Sequence, residues 1–306
     1  MIQETERQNL IALIRANGPL SGLEIKQLLE IDSLALWRTC KTTQQLQAPI
    51  LGKRYLRFDR HVEGLARLSP SILREFFTYT VVGLANEPAD LSVKCGQISR
   101  RICEISKYKL ELAARIISEI MTEFDQNEPA GRSICFVIAG DIVHEMAHDV
   151  PRPERSTGRL VKGSDIDLVV IADDNVPEES LKRLDRLLFE KKHRMLINPA
   201  INEELDYKVK TLNTVREQSR FDTLAHMIAI KILHEGILLY GDKNLFQQIK
   251  TIIHQNGLTQ KLDAFEKSAG LHRMQAEQAI IAGSVSEEQV KAAHLFYSAE
   301  EFEEFE

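Results

Sequence analysis

Much is sparse or missing in this chain. It has only four cysteines, Cys40, Cys95, Cys103 and Cys135, scattered with no C-x-x-C spacing. That pattern argues against a disulfide frame or a zinc knuckle and for buried thiols in a reducing cytoplasm. No apolar run approaches the roughly 20 residues that a membrane-spanning helix needs. The first residues, Met1 to Arg7, lack the basic and apolar regions of a signal peptide. There is no excess of positive charge either. The formal net charge is -6, so the whole chain has no bulk affinity for nucleic acid or anionic membrane, although a local basic patch could still bind DNA. Internal repeats and low-complexity tracts are absent, apart from the acidic stretch Glu300 to Glu306. What is present is an ordinary balance of apolar and charged residues, 43% and 27%, over a length sufficient for two or three domains with a sizeable core.

Hydrophobic spacing divides the chain into four segments. Residues 1–65 carry helical stripes at Leu10, Ile11, Leu13 and Ile14, then near Gly22 to Leu29, then from Ser33 through Leu34, Leu36, Trp37 and Cys40. An alternating stretch from Pro49 to Phe58 follows and is expected to form a hairpin arm. Three short helices followed by a β-ribbon is the order of a winged helix-turn-helix. Arg38 and Lys41 would then lie on its third helix, and Lys53, Arg54 and Arg57 on its wing, where basic residues meet DNA phosphates. The same module can equally serve protein contact. Trp37 is expected in the core. Residues 66–130 read as a helical connector, with a long amphipathic pattern from Leu91 to Phe124 and a loop at Gln126 to Gly131. Residues 131–243 alternate strands and helices. Residues 244–306 read as a helical C-terminal region.

The most informative stretch is Gly163-Ser164-Asp165-Ile166-Asp167-Leu168, which runs into the apolar Val169-Val170-Ile171. It reads as a buried strand that opens with two carboxylates. Side chains two apart on a strand share a face, about 7 Å apart, so Asp165 and Asp167 point the same way and repel unless a cation sits between them. Hard oxygen ligands on a rigid strand suit Mg²⁺. From Ile201 to Thr211 a further strand is expected, with Leu205, Tyr207 and Val209 on one face and Asp206 and Lys208 on the other. Asp206 is thus available as a third carboxylate.

These residues resemble the signature of the nucleotidyltransferase superfamily with the polymerase-β-like fold. The resemblance covers roughly 131–243. It implies an α+β chain in which Asp165, Asp167 and Asp206 hold two Mg²⁺ ions, and in which a nucleoside monophosphate passes from a nucleoside triphosphate, ATP being the expected one, to an acceptor hydroxyl with release of pyrophosphate. Strand Ser133 to Ala139 with Gly140-Asp141 would replace the family's first strand and its phosphate-binding turn. Gly140, Asp141, Gly163, Ser164 and Lys208 would contact the nucleotide, and Arg155 or Arg159 could neutralise developing charge. Two features depart from the family pattern. Asp141 stands where a small residue is usual, and the interval from Gly140 to Asp165 is lengthened by a Pro- and Arg-rich insertion, expected as an exposed loop. Family members modify proteins, RNA ends or small molecules, and the attached N-terminal module favours a macromolecular acceptor, protein or RNA.

Two other readings compete. One is a DNA-binding regulator whose nucleotidyltransferase-like domain is not catalytic. The other starts from His144-Glu145-Met146-Ala147-His148, which matches H-E-x-x-H. On a helix this would put two zinc-ligating histidines on one face beside a general base, but Pro151 cuts such a helix short and no third ligand is marked.

Overall fold

The computed structural model describes residues 4–125, 133–154, 157–292, 294, 296 and 297. The chain is α+β and forms two compact units, one of residues 1–101 and 265–306, the other of residues 102–264. The limits expected at 65, 130 and 243 do not coincide with these units. Residues 265–306 belong to the same unit as the first helices, because Ile280, Val290 and Phe296 complete its core.

In the first unit, α1 (Glu4–Asn17), α2 (Gly22–Leu28) and α3 (Ser33–Thr42) follow the expected stripes. Asp32 caps α3, its carboxylate accepting from the N–H groups of Leu34 and Ala35. Ser21 and Glu24 form a reciprocal capping box at α2, which satisfies donors that the helix start leaves unpaired. Short strands β1 (Leu20–Ser21) and β2 (Leu46–Gln47) both pair antiparallel with β5 (Val81–Leu84). The expected arm from Pro49 to Phe58 is only partly strand. Its part β3 (Tyr55–Phe58) pairs with β4 (Ala66–Ser69), and α4 (Ile72–Tyr79) follows before β5. Leu10, Ile14, Leu36, Trp37, Phe76 and Val82 form the core, joined by Ile280, Val290 and Phe296 from the chain's far end. Trp37 is 2% exposed, as expected of a core residue, and meets Phe296 edge-on at 5.9 Å.

The amphipathic pattern after residue 86 is a single helix, α5 (Pro88–Asp125). In the second unit four strands form one mixed sheet. They are β6 (Ile134–Ala139), β9 (Ile166–Ala172), β10 (Leu205–Thr211) and β11 (Ile237–Gly241), in the order β10-β9-β6-β11. β9 runs antiparallel to β6 and parallel to β10, and β11 runs antiparallel to β6. A parallel neighbour requires a crossover, here α6 (Glu178–Ile197). Period two then sorts the faces. Phe136, Ile138, Ile166, Leu168, Val170 and Leu205 pack with Ile116, Ile117 and Ile120 of α5 and with Leu184, Leu188 and Met195 of α6. The other face of β6 is covered by α8 (Leu224–Glu235) and α9 (Lys243–Gln255). That explains why every residue of β6 is buried and why its sequence shows no alternation. Between β10 and α8 lies α7 (Leu212–Gln218). The expected long helix is α10 (Leu258–Ala282), followed by α11 (Glu287–Ala292). The loop at 126–131 and the acidic stretch at 300–306 lie outside the described residues.

The Pro- and Arg-rich insertion is a hairpin, not a plain loop. β7 (Pro151–Pro153) pairs with β8 (Leu160–Lys162), placing Arg152 opposite Val161. No helix among the described residues is long and apolar enough to cross a membrane.

Candidate functional site

The end of the sheet where β6 stops and β9 and β10 start gathers most of the expected site residues. Register places Asp167 beside Ala139 on one side and beside Asp206 on the other. Residues directly paired across strands share a face, so Asp167 and Asp206 project from the surface opposite the α5 and α6 core. Asp165 precedes β9 by one residue and is 35% exposed at its side chain. Asp206 is the most open of the three, 54% exposed, with Lys192 Nζ 3.7 Å from Oδ1.

Two glycines let the backbone come this close. Gly140 has φ +71°, and a Cβ there would stand 2.1 Å from Asp167 Oδ2. The turn after β6 therefore lies directly against that carboxylate. Gly163 has φ +60°, and a Cβ there would stand 2.0 Å from the carbonyl oxygen of His148. Only glycine meets both demands, a left-handed backbone and no side-chain volume.

Ser164 is spent inside the protein. It is 5% exposed, its hydroxyl donates to Asp141 Oδ2 at 2.6 Å, and Ser164 Oγ in turn accepts from the His148 N–H at 3.2 Å. Ser164 and Asp141, the residues expected to contact phosphate, thus link the two turns to each other. Asp165 is bonded by Arg152, which also reaches Glu204 Oε2 at 2.9 Å and the carbonyl oxygen of Gly163 at 2.8 Å. Among the described residues no group of three or more His, Cys, Asp and Glu side chains stands close enough together to hold a metal ion. The donor chemistry at this end suits a hard divalent cation, and Asp167 and Asp206 are neighbours. Asp165 is held by a guanidinium instead.

Lys208 lies on the Asp206 face, paired with Val169, and is exposed. Lys210 continues that row opposite Ile171 and was not singled out from the sequence. It bonds Gln218 Oε1 at 3.2 Å. Burial, and then repulsion from Lys208, lower its pKa. Alternation along β10 was the signal that could have found it. Arg159 is exposed, and Arg155 lies outside the described residues. Below the hairpin, Lys109 is paired with Glu203, their side chains 1% and 2% exposed. Burial drives Lys109 down and Glu203 up, each toward its neutral form, against their mutual attraction. An open cleft of about 360 Å³ lined by Arg216, Asn244 and Gln247 follows the other end of β10 and involves none of the expected residues.

The H-E-x-x-H stretch is not helical. The chain leaves β6 in a 3₁₀ turn at Gly140–Ile142 and continues in turns, with Glu145 at φ +58°. His144 and His148 therefore lack the helical spacing that pairs zinc ligands. His144 Nε2 lies 2.9 Å from Glu235 Oε2. Burial raises the Glu235 pKa, but His144 and Lys231 outweigh it and hold the carboxyl below its ordinary range.

Of the basic residues expected at a nucleic-acid surface, Arg54 is committed within its own unit. It donates to both oxygens of Glu75, at 2.5 and 2.7 Å, and to Glu277 at 2.8 Å. Lys41 Nζ lies 3.5 Å from the Ala48 carbonyl oxygen. Arg38 is half-buried on α3, while Lys53 and Arg57 are exposed.

Comparison of the chain with protein-family models, with curated proteins and with solved structures finds no match.

Proposed function

We propose that the second unit is a Mg²⁺-dependent nucleotidyltransferase of the polymerase-β-like kind, moving a nucleoside monophosphate from a triphosphate such as ATP to a hydroxyl of a protein or RNA. The observation that carries this reading is the register of β9 and β10, in which Asp167 lies beside Asp206 with the Gly140 turn against it. The succession α5, β6, β9, α6, β10 with β10 parallel to β9 supports it as well. Asp167 and Asp206, with Asp165 once released from Arg152, are the residues that would hold Mg²⁺. A divalent cation there neutralises triphosphate charge and favours in-line displacement at the α-phosphate. The chain's own residues supply the rest. The Gly140 turn brings backbone close to the carboxylates, and Lys208 and Lys210 line the same face as Asp206, offering positive charge to phosphate oxygens. The test is incubation with each α-labelled nucleoside triphosphate, Mg²⁺ and cell extract, asking which band gains label. Label from one nucleotide on one acceptor supports the reading. No transfer from any of them, by folded protein, contradicts it.

A second reading is favoured by the internal use of Ser164 and Asp165. Here the second unit only holds a ligand or partner, and the first, built as a winged helix-turn-helix with a hairpin and α4 inserted before its last strand, binds DNA. Salt-dependent DNA binding lost on changing Arg38 and Lys41 together, with no nucleotide transfer, would favour it. Action in the cytoplasm fits either reading.

A further inference from the structure

Arg152 stands mid-strand on β7 and is 9% exposed. A guanidinium stays charged even when buried, so its place is stable only because anions and carbonyls surround it. Those partners are Asp165, Glu204 and the Gly163 carbonyl oxygen. Asp165 is thus held by a side chain from the segment that lengthens the Gly140 to Asp165 interval. The base of that hairpin is anchored, since Lys109 Nζ donates to the Lys162 carbonyl oxygen at 2.7 Å and pairs with Glu203.

Resting on the reading of the sheet end as a cation site, we infer that Arg152 is an internal counter-cation that blocks Asp165. Its guanidinium supplies the positive charge that a divalent cation would otherwise bring. Asp165 joins the cation only when the Arg152 side chain swings away. With the hairpin base fixed, that release is a side-chain motion. Glu204, which lies next to Leu205 at the start of β10, retains the guanidinium on its side of the site. The device makes cation binding, and hence nucleotide binding, conditional on a competitor for Arg152, such as the triphosphate itself.

The test is Mn²⁺ titration of the full chain by calorimetry, with thermal melts to check folding. Removing the charge in Arg152→Gln is expected to tighten Mn²⁺ binding by about tenfold or more. Arg152→Lys, which keeps the charge, should bind as the native chain does. Adding Asp167→Asn to Arg152→Gln should erase the gain. Equal affinity in Arg152→Gln and the native chain would overturn the blocking role while leaving the cation site standing. No Mn²⁺ binding by either folded protein would remove the cation site itself, and the inference with it. Asp165→Asn in the native background gives an independent check that does not depend on how Arg152→Gln folds. It should change affinity less than about twofold, because Asp165 is already occupied. A tenfold loss would overturn the inference.

Discussion

The two units bury charge in different ways. In the first, Arg54 and Arg273 face Glu75 and Glu277. Arg273 lies 3.2 Å from Glu75 and 2.6 Å from Glu277, so positive and negative groups alternate around a closed ring. In the second, Asp141, Asp165, Asp167, Glu204 and Asp206 collect at one sheet end, where Arg152 meets Asp165 and Glu204, and Lys192 approaches Asp206. A balanced ring holds its helices and asks for nothing further. An acid-rich sheet end bordered by two glycine turns is where the proposed function places an added cation. The first arrangement is architecture, and the second is where that proposal puts the chemistry.

The largest expected effect breaks the second arrangement. Asp165→Ala combined with Asp167→Ala should lower label transfer by roughly 10³-fold or more in protein that still melts cooperatively, at a temperature lowered by the loss of an anion beside Arg152. Equal transfer would reduce the sheet end to architecture as well. In the first unit, Glu75→Ala leaves Arg54 and Arg273 short of a shared anion and should cost about 3–5 kcal/mol in urea unfolding. A loss below about 1 kcal/mol, the scale of surface pairs, would show that the ring is not balanced by Glu75. Gly140→Ala puts a methyl onto Asp167 at a left-handed position and should cost about 1–2 kcal/mol, together with most of the transfer activity. Stability lost with activity retained would separate the turn from the site.

A smaller effect is a pH dependence. Lys250 Nζ donates to the carbonyl oxygens of Leu233, His234 and Gly236 at the end of α8, and burial lowers its pKa from 10.5 to about 8. Because the folded pKa lies below the unfolded one, the unfolded chain binds the extra proton between these values. Stability contributed by this group therefore rises as pH rises from about 8 to 10.5. Melting temperature of the native chain relative to Lys250→Met should climb over that window, and a flat difference would contradict the shift. The smallest effect is expected from Lys192→Ala, which removes a half-buried lysine 3.7 Å from the exposed Asp206 and should change stability by no more than about 0.5 kcal/mol.

Much of the second unit was legible in advance. The apolar runs at 133–139 and 166–171, and the alternation of Leu205, Tyr207 and Val209 against Asp206 and Lys208, specify strands and faces because period two leaves a direct mark on sequence. Strand neighbours leave no such mark, so the pairing of Asp167 with Asp206 needed the three-dimensional register. The Arg152 clamp was hidden for a similar reason. A short Pro-flanked hairpin reads as loop, and a buried arginine within it reads as a solvated charge until its anions are located. The stretch from His144 to His148 shows the converse, a spacing that suggests a zinc site but lacks the helix that would give it meaning. In the first unit the three helices were readable from their stripes. The strand that closes the small sheet was not, because β5 is separated from β2 by a hairpin and α4. The return of Phe296 to the Trp37 core joins residues far apart in sequence, and no local pattern foretells it.

The claim on which all of this turns is that Asp167 and Asp206 jointly face a bound triphosphate. The most direct measurement is a crystal structure with Mn²⁺ and a non-hydrolysable triphosphate analogue. The account predicts a cation about 2.0–2.4 Å from oxygens of both carboxylates, with the triphosphate against the Gly140 turn and Arg152 withdrawn from Asp165. A nucleotide bound away from this sheet end, with Arg152 still on Asp165, would contradict it.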